Sequence, residues 1–402
     1  MAHKKIHPIS RQRVCPVCLS EDITVFLEID RVPVHCNVLL FTKKEALQAS
    51  RGDIHLGFCQ DCGHIFNKAF NPELMAYSQG YETSLHYSTR FQEYAKKTAE
   101  HLVERYRLFG KDIVEIGCGQ GEFLNLLCYI GENNGVGFDP SYQPEDRDEQ
   151  VASGQIRIIQ DFYSEKYADQ KADLICCRHV LEHVQNPRDF LATLRRSIAN
   201  QPKTVVFLEM PNAFYTLRDQ GIWDLIYEHY SYFTRNSLEA LMTQCGFEVL
   251  DLYETYKDQF LCVEAFSSEM SKSSEEISQN DLGDLVSDIG VFAEKYRQKI
   301  NKWKRNIEGI VQNNQRVVVW GGGSKGVTFL NTLKSRDKID YVVDINPRKQ
   351  GKYVAGSGQK IIPPSFLKEY RPEVVIIMNP IYQDEVRQIT KDLGLHTGFV
   401  CA

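Results

Sequence analysis

Apolar residues recur along this chain in three rhythms, and each predicts a different architecture. Near the amino terminus they form short runs, Ile23 to Ile29 and His64 to Phe70. From Lys111 onward, strand-type runs alternate with helix-type stretches. KDIVEI at 111–116 predicts a strand, and Glu122 to Gly131 a helix burying Phe123, Leu124, Leu127 and Ile130. Gly135 to Asp139 is the next strand. Ile156–Ile159, Asp173–Cys177, Val205–Glu209, Glu248–Tyr253 and Phe260–Phe266 continue the sheet, with Asp173–Cys177 apolar enough to be covered on both faces. A third rhythm begins near Leu285. Leu285, Ile289, Phe292, Tyr296, Ile300, Trp303, Ile307 and Ile310 recur every three or four residues, the packing face of one long helix. Arg316–Trp320 and Ile339–Val343 are then strands of a second strand–loop–helix unit. The whole reads as α/β, built from several parts.

The 402 residues are 43% hydrophobic and 25% charged, which suits two or three soluble domains and rules out disorder as the main state. No run approaches the roughly 18 apolar residues of a membrane span. A net charge of −6 argues against a nucleic-acid partner held by phosphate neutralisation. The basic start, MAHKKIHPISRQRVCPVC, lacks the apolar core of a signal peptide, so a cytoplasmic location is expected. In that reducing compartment the 12 cysteines read as metal ligands or small core residues before disulfides.

Four of those cysteines have metal-site spacing. Cys15-Pro-Val-Cys18 and Cys59-Gln-Asp-Cys62 are two CxxC knuckles, which together supply a tetrahedral set of thiolates for Zn2+. Four thiolates leave no open coordination position, so the expected ion is structural. His35 and Cys36 lie between the pairs as spare ligands.

Two glycine loops follow predicted strands. In the first, Gly117-Cys118-Gly119-Gln120-Gly121 is preceded by Glu115, and Asp139 closes the next strand, placed to accept ribose hydroxyls. The spacing is GxGxG and departs from the GxGxxG of dinucleotide sites, and Glu115 would repel a pyrophosphate. A cationic ligand such as S-adenosylmethionine suits this acidic rim better than NAD. Asp161 and Phe162 are placed to hold an adenine. In the second loop, Gly321, Gly323 and Gly326 satisfy GxGxxG, with Asp344 after the next strand. Lys325, Lys349, Gln350 and Lys352 suggest a diphosphate partner there; an NAD site is the alternative.

Two histidine-bearing segments carry candidate chemistry. His179-Val-Leu-Glu182-His183 spells HxxEH, a zinc-protease pattern if helical, yet it follows a sheet strand beside the nucleotide crevice. That position favours His179 near the cofactor and His183 in a substrate pocket. Tyr227-Glu228-His229-Tyr230-Ser231-Tyr232-Phe233 concentrates polar and aromatic groups, with His229 as a candidate base and Glu228 as its orienting partner. An aromatic docking loop is the other reading of this segment.

Taken together, these motifs resemble the three-part, zinc-containing, S-adenosylmethionine-dependent C-methyltransferases of deoxysugar biosynthesis. CPVC and CQDC resemble the zinc module of that family, VEIGCGQGEFL with GFDPS its methyl-donor loop, and HVLEHVQNP its central helix. EHYSYF resembles its EHxxYF segment, and VVDINPRKQGKYVAGSGQKIIPP is close to its carboxyl-terminal signature. The resemblance implies a class I, Rossmann-like methyltransferase domain at 86–266. It also implies a zinc module at 1–85, a linker and long helix at 267–314, and a Rossmann-like substrate domain at 315–402. The implied substrate is a nucleotide-diphosphate-linked keto-deoxysugar, methylated at the carbon beside the ketone through an enolate. His229 is then the base, Glu228 orients it, and His183 supports the enolate. Tyr81, His86 and Tyr87 match the segment that lids the substrate pocket. A monomer or small homo-oligomer without membrane or nucleic-acid partners is expected.

The family typically carries tyrosine and histidine just before the Glu-His pair, where this chain has Ile226 and Tyr227. One hydroxyl is lost there, and Tyr227 is the candidate replacement. Transfer to oxygen or nitrogen on the same scaffold, and a non-catalytic sugar-nucleotide binder, are the competing readings.

Overall fold

The computed structural model describes residues 14–75, 80–82, 84–143, 156–268, 279–334 and 337–402, with the side chains of 279–281 excepted. Much of the expected linker after Ser267 lies outside those residues. Three sheets organise the chain. The first is antiparallel, in the order Ile23–Pro33, Arg51–Cys59, Ile65–Asn67 and Ser231–Tyr232. Its fourth strand is borrowed from the segment that carries His229, far along the chain, through Ile65 opposite Tyr232 and Phe66 opposite Ser231.

The second sheet has seven strands. In spatial order they are Phe247–Thr255, Phe260–Ser267, Val205–Pro211, Leu174–Arg178, Asp112–Ile116, Asn134–Phe138 and Ile156–Ile159. Val205–Pro211 and the four strands beyond it pair in parallel, while the hairpin formed by the first two joins it antiparallel. Parallel strands need crossovers, and helices such as Glu122–Gly131 and Pro187–Ser197 supply them. The order reverses beside Asp112–Ile116, opening a crevice at its carboxyl end. The third sheet is wholly parallel, with Val317–Trp320 at its centre between Tyr341–Val343 and Val374–Ile377.

One expected helix is absent. HVLEH forms a single 3-10 turn, Leu181–His183, entered through His179 in the left-handed region at φ 54°. The two histidines therefore do not share a helical face, and the zinc-protease geometry is not formed. Pro187 begins the next helix instead of ending one; its missing N–H and fixed φ suit the first helical position.

The long helix runs from Gln279 to Gln312 and stops at Asn314, which takes the left-handed conformation common beyond helix ends. Its apolar stripe joins the first and third sheets in one core, with Leu285, Phe292, Trp303 and Ile307 packing among Phe66, Ile54, Phe329 and Val317. Trp223 and Trp303 each meet Phe329 edge-on, at 4.9 and 5.2 Å between centroids. Truncating such a ring costs about 3–5 kcal/mol. On the opposite side, Cys15, Val17, Cys59 and Cys62 pack with Phe233, Leu238 and Leu241 of the second sheet's surroundings. Among the described residues, no helix is long and apolar enough to cross a membrane.

Candidate active site

A cavity of about 740 Å³ lies where the carboxyl ends of the second and third sheets face each other. The strand Asp112–Ile116 delivers Glu115 and the first glycine loop into it, and the strand Asn134–Phe138 delivers Asp139. Asp139 accepts the Gly119 N–H at 2.8 Å, and the Ser141 N–H and hydroxyl at 2.8 and 2.6 Å. A side chain added at Gly119 would meet only Glu122, at 3.8 Å, so the loop presents bare backbone to the cavity. Glu115 is buried, and one of its oxygens has no hydrogen-bond partner. Burial pushes its carboxyl up to about 8, against the pull of Arg178. A buried acid with an unpartnered oxygen, which a neighbouring cation would ionise, fits a cationic ligand beside the open glycine cradle, and S-adenosylmethionine carries both an ammonium and a sulfonium. Phe162, 62% exposed, and Asp161 stand at the rim of the same crevice.

Behind the crevice lies a buried charge network invisible to spacing arguments. Arg178 donates through Nε and Nη2 to Glu209, at 3.0 and 2.8 Å, and stacks 4.0 Å from the Phe123 centroid. Tyr94 donates to the other Glu209 oxygen. His179 sits 3.0 Å from Glu209 and 3.7 Å from Glu182. Burial opposes its charge, but the two carboxylates outweigh burial and raise it to about 9. Its left-handed backbone, unusual for a side chain with a Cβ, is what turns the ring back toward both acids.

On the neighbouring wall, His183 and His229 meet edge to face at 5.1 Å between centroids. His183 Nδ1 lies 2.8 Å from the Glu228 backbone carbonyl, and its Nε2 lies 4.0 Å from Glu182. Burial, helped by His183, pushes His229 down to about 4. Its Nδ1 is buried without a hydrogen-bond partner. The Glu228 side chain points elsewhere. It is fully buried, accepts the Cys36 N–H at 2.9 Å and the Tyr81 hydroxyl, and lies 3.8 Å from His35. It therefore ties Tyr81 to the amino-terminal module and does not orient His229.

Tyr227 is also directed away. Its hydroxyl accepts the Asn71 N–H at 2.7 Å and its ring stacks on Phe70, outside the cavity, so it does not stand in for the hydroxyl lost at Ile226. Ile226 itself lines the cavity.

The second glycine loop faces the first across the same space. Asp344 accepts the Gly322 N–H at 2.8 Å and the Asn346 N–H at 2.8 Å, repeating the Asp139 arrangement. Gly326 is obligatory here, because an added Cβ would stand 2.0 Å from the Gly321 carbonyl oxygen. Lys325 and Lys349 line the cavity; Lys325 pairs with Asp224, and Lys349 donates to Asn37 at 3.1 Å. Gln350 and Lys352 do not line it. Gln350 donates to the Asp344 carbonyl, and the Lys352 ammonium rests 3.9 Å from the Phe41 centroid.

The four knuckle cysteines converge. Cys15 and Cys62 sulfurs are 3.5 Å apart, and those of Cys18 and Cys59 are 3.4 Å apart. A tetrahedral ion at about 2.3 Å from each sulfur would set such separations near 3.8 Å, so the set fits a soft cation. Cys36 is not in this group.

Glu115, Gly117, Gly119, Asp139, Asp161, Phe162, His179, His183, His229, Tyr81, His86, Tyr87, Lys325 and Lys349 thus border one cavity, while Gly121 starts the helix beneath it. Sequence reasoning missed Arg178, Gln259, Asn379 and Tyr382, which also line it. Arg178 carried a signal, a charge ending a wholly apolar strand. The other three carried none.

A family described as a methyltransferase domain matches residues 88–252, and one described as a C-methyltransferase C-terminal domain matches residues 266–401. The chain is 23% identical over 312 residues to the C-methyltransferase NovU of Streptomyces niveus, covering 73% of this chain and 72% of that one. It is 26% identical over 137 residues to a mitochondrial ubiquinone biosynthesis O-methyltransferase of Dictyostelium discoideum, covering 30% of this chain and 40% of the relative. Among solved structures, the 1,6-didemethyltoxoflavin-N1-methyltransferase of Burkholderia thailandensis aligns with a TM-score of 0.35 at 12% identity, over 52% of this chain and 97% of that one.

Proposed function

We propose that this chain, which belongs to the S-adenosylmethionine-dependent C-methyltransferases joining a methyltransferase domain to a C-methyltransferase carboxyl-terminal domain, methylates a nucleotide-diphosphate-linked keto-deoxysugar on the carbon beside its ketone. The observation that carries the reading is the single cavity shared by the acid-rimmed glycine loop, the His183–His229 pair and the second glycine loop with Lys325 and Lys349. A donor, a reacting carbon and a diphosphate each find complementary chemistry along it.

When bound, S-adenosylmethionine supplies an electrophilic methyl group. The residues of the chain do the rest. Glu115 and Asp139 complement its cationic groups and ribose hydroxyls, and Phe162 offers a face to its adenine. The backbone N–H groups around Gly323 and Ser324, at the start of the helix Ser324–Leu333, suit phosphate oxygens, with Lys325 and Lys349 alongside. The imidazoles of the histidine pair are suited to take the proton that the ketone acidifies and to hold the resulting enolate. The resemblance of NovU over most of its length favours carbon as the acceptor atom. We also infer that Cys15, Cys18, Cys59 and Cys62 hold a structural zinc ion, since four thiolates leave no position for substrate.

The test uses S-adenosylmethionine labelled with 13C in its methyl group and a thymidine-diphosphate 4-keto-6-deoxyhexose. A new carbon-bound methyl resonance on the sugar is the expected result. A methoxy resonance would move the acceptor to oxygen, the atom in the names of the ubiquinone-pathway relatives, and an N-methyl resonance would move it to nitrogen. No transfer to any keto-sugar nucleotide would overturn the acceptor class.

A further inference from the structure

We propose that Glu82 is a positioning residue that couples the two glycine crevices, so that the methyl donor and a nucleotide diphosphate each bind more tightly when the other is in place. The proposal rests on the acceptor reading above, because it needs a diphosphate ligand at the second loop.

The argument begins with what Glu82 touches. Its side chain is buried, 6% exposed, and does not border the cavity. Neither ligand therefore meets it directly. One of its oxygens accepts the Ser84 N–H and the Asn346 side-chain amide, each at 3.0 Å. The other oxygen lies 3.5 Å from the Arg348 guanidinium. Its backbone N–H donates to the Asn37 carbonyl at 2.9 Å, beside the bridge between Val38 and Tyr81. A buried acid has to have its oxygens satisfied, and here the partners come from different parts of the fold.

Each side leads to one crevice. Ser84 donates through its hydroxyl to Glu122 at 2.9 Å. Glu122 opens the helix that follows the first glycine loop, and its second carboxyl oxygen is the nearest atom to a Cβ built on Gly119, at 3.8 Å. In the other direction, Asn346 donates its backbone N–H to Asp344 at 2.8 Å, and the same acid braces Gly322. Asn37 strengthens this side, since its side chain accepts the Lys349 ammonium at 3.1 Å. A continuous line of bonded groups thus runs from Glu122 through Ser84, Glu82, Asn346 and Asp344 to Gly322. Ser84 and Asn346 both border the cavity, and Glu82 joins them from outside it.

Such a line couples two sites through ordering. Fixing the backbone of one residue costs about 1–2 kcal/mol. A diphosphate on the second loop holds Asp344 and Asn346, and through them the Glu82 carboxyl and the backbone of Ser84. The ordering of Ser84 and Glu122 that the donor crevice requires is then already met, so the donor binds more tightly. Linkage makes the effect equal in the reverse direction. No displacement of one sheet against the other is needed, only an ordering cost that the first ligand has already met. For turnover, complexes holding one ligand alone are disfavoured relative to the complex holding both, which is the one that reacts.

The experiment measures the coupling itself. S-adenosylhomocysteine is titrated calorimetrically into the full-length zinc-loaded protein, alone and saturated with thymidine diphosphate, and the titration is repeated with the two ligands exchanged. These probes lack both the transferable methyl group and the sugar, so the reacting groups cannot couple the sites by touching. In the wild type each ligand should raise the affinity of the other by the same factor, at least about fivefold. Glu82→Ala should bring that factor to within about twofold of unity while both ligands still bind. Glu82→Gln removes the charge but keeps an oxygen for Ser84 and Asn346, and should keep the factor within about twofold of the wild type. Ser84→Ala breaks the line at its next link with a smaller burden on folding, and should also bring the factor toward unity. A residue needed only for stability would lower the melting temperature or both affinities and leave the factor unchanged. Wild-type protein that binds both ligands independently would overturn the proposal, as would wild-type coupling in Glu82→Ala or in Ser84→Ala. Loss of coupling in Glu82→Gln equal to that in Glu82→Ala would overturn it too, since the field of the charge and not the bonds would then carry the effect. Thymidine diphosphate that does not bind at all would instead remove the acceptor reading on which the proposal stands.

Discussion

Asp139 accepts the backbone N–H of Gly119 at 2.8 Å, and the same bond recurs at 2.8 Å between Asp344 and Gly322 in the third sheet. In both loops the acid after the second strand also accepts the N–H two residues beyond itself. Each acid braces its own glycine turn before any ligand arrives, and each braced turn opens on the shared cavity. Two Rossmann-like crevices thus face one another, with the histidine pair on the wall between them.

The first prediction concerns the donor crevice. Asp139→Ala removes both the brace on Gly119 and an acceptor for ribose hydroxyls. A hydrogen bond to a charged group contributes about 1.5–3 kcal/mol, so affinity for S-adenosylmethionine should fall about ten- to a hundredfold. Calorimetry on the wild type and the variant measures it. Asp344→Ala should leave that affinity within about twofold, since its loop serves the other crevice.

A second prediction follows from Glu115. Its folded carboxyl is raised by burial to about 8, so at pH 7 it is mostly protonated. A bound cation favours the carboxylate. Binding of S-adenosylmethionine should therefore release protons near pH 7 and strengthen as pH rises toward 8. Calorimetry in buffers of different ionisation enthalpy reads the proton count, and Glu115→Gln should abolish both effects. Stability moves the other way. The unfolded carboxyl ionises near 4.5 and the folded one near 8, so the folded state loses stability as pH rises through that window. Glu115→Gln should remove this part of the slope.

The amino-terminal cysteines give the third. One zinc ion per chain is expected by elemental analysis, and Cys59→Ser should lose it. Because Cys15, Cys59 and Cys62 pack in the same apolar cluster as Phe233 and Leu241, the loss should reach beyond the knuckles. Hydrogen exchange should speed up in Ile23–Pro33 and in the Ser231–Tyr232 strand, while Val317–Trp320 stays protected. Metal binding in such modules contributes on the order of 10 kcal/mol, so a variant without zinc that kept wild-type protection would contradict the assignment.

Much of this arrangement is legible in the sequence because its causes are local. Strand, glycine turn and following acid are consecutive in both crevices, and CxxC knuckles bring their sulfurs together by backbone geometry. The long helix declares itself through its spacing. What the sequence hides depends on distant pairing. Ser231–Tyr232 joins a sheet begun two hundred residues earlier, and that pairing turns the Glu228 side chain toward Cys36 and Tyr81 and the Tyr227 hydroxyl toward Asn71. Proximity in sequence to His229 therefore misleads about both. The turn at His179–His183 is hidden for another reason, since its spacing suits a helix and only the left-handed His179, held by Glu182 and Glu209, prevents one.

The displaced role of Glu228 is itself testable. Its carboxylate is fully buried, and although burial opposes ionisation, the His35 and Tyr81 contacts hold its pKa below the ordinary carboxylate value. A carboxylate lowered in the folded state contributes stability above the unfolded pKa, and that contribution disappears as pH falls through the folded value. Glu228→Ala leaves the buried Cys36 N–H without its acceptor, which costs about 1–3 kcal/mol. Urea unfolding at pH 7 should show the variant destabilised by an amount of that order, and the difference should shrink as pH falls below the ordinary carboxylate range. Glu228→Gln, which can still accept the Cys36 N–H, should recover most of the stability. If Glu228 acted on the substrate itself, Glu228→Gln would lose methyl transfer by orders of magnitude while remaining stably folded. The position of its carboxylate, outside the cavity and against Cys36, leads to the opposite expectation: turnover within about tenfold of wild type once the protein is folded.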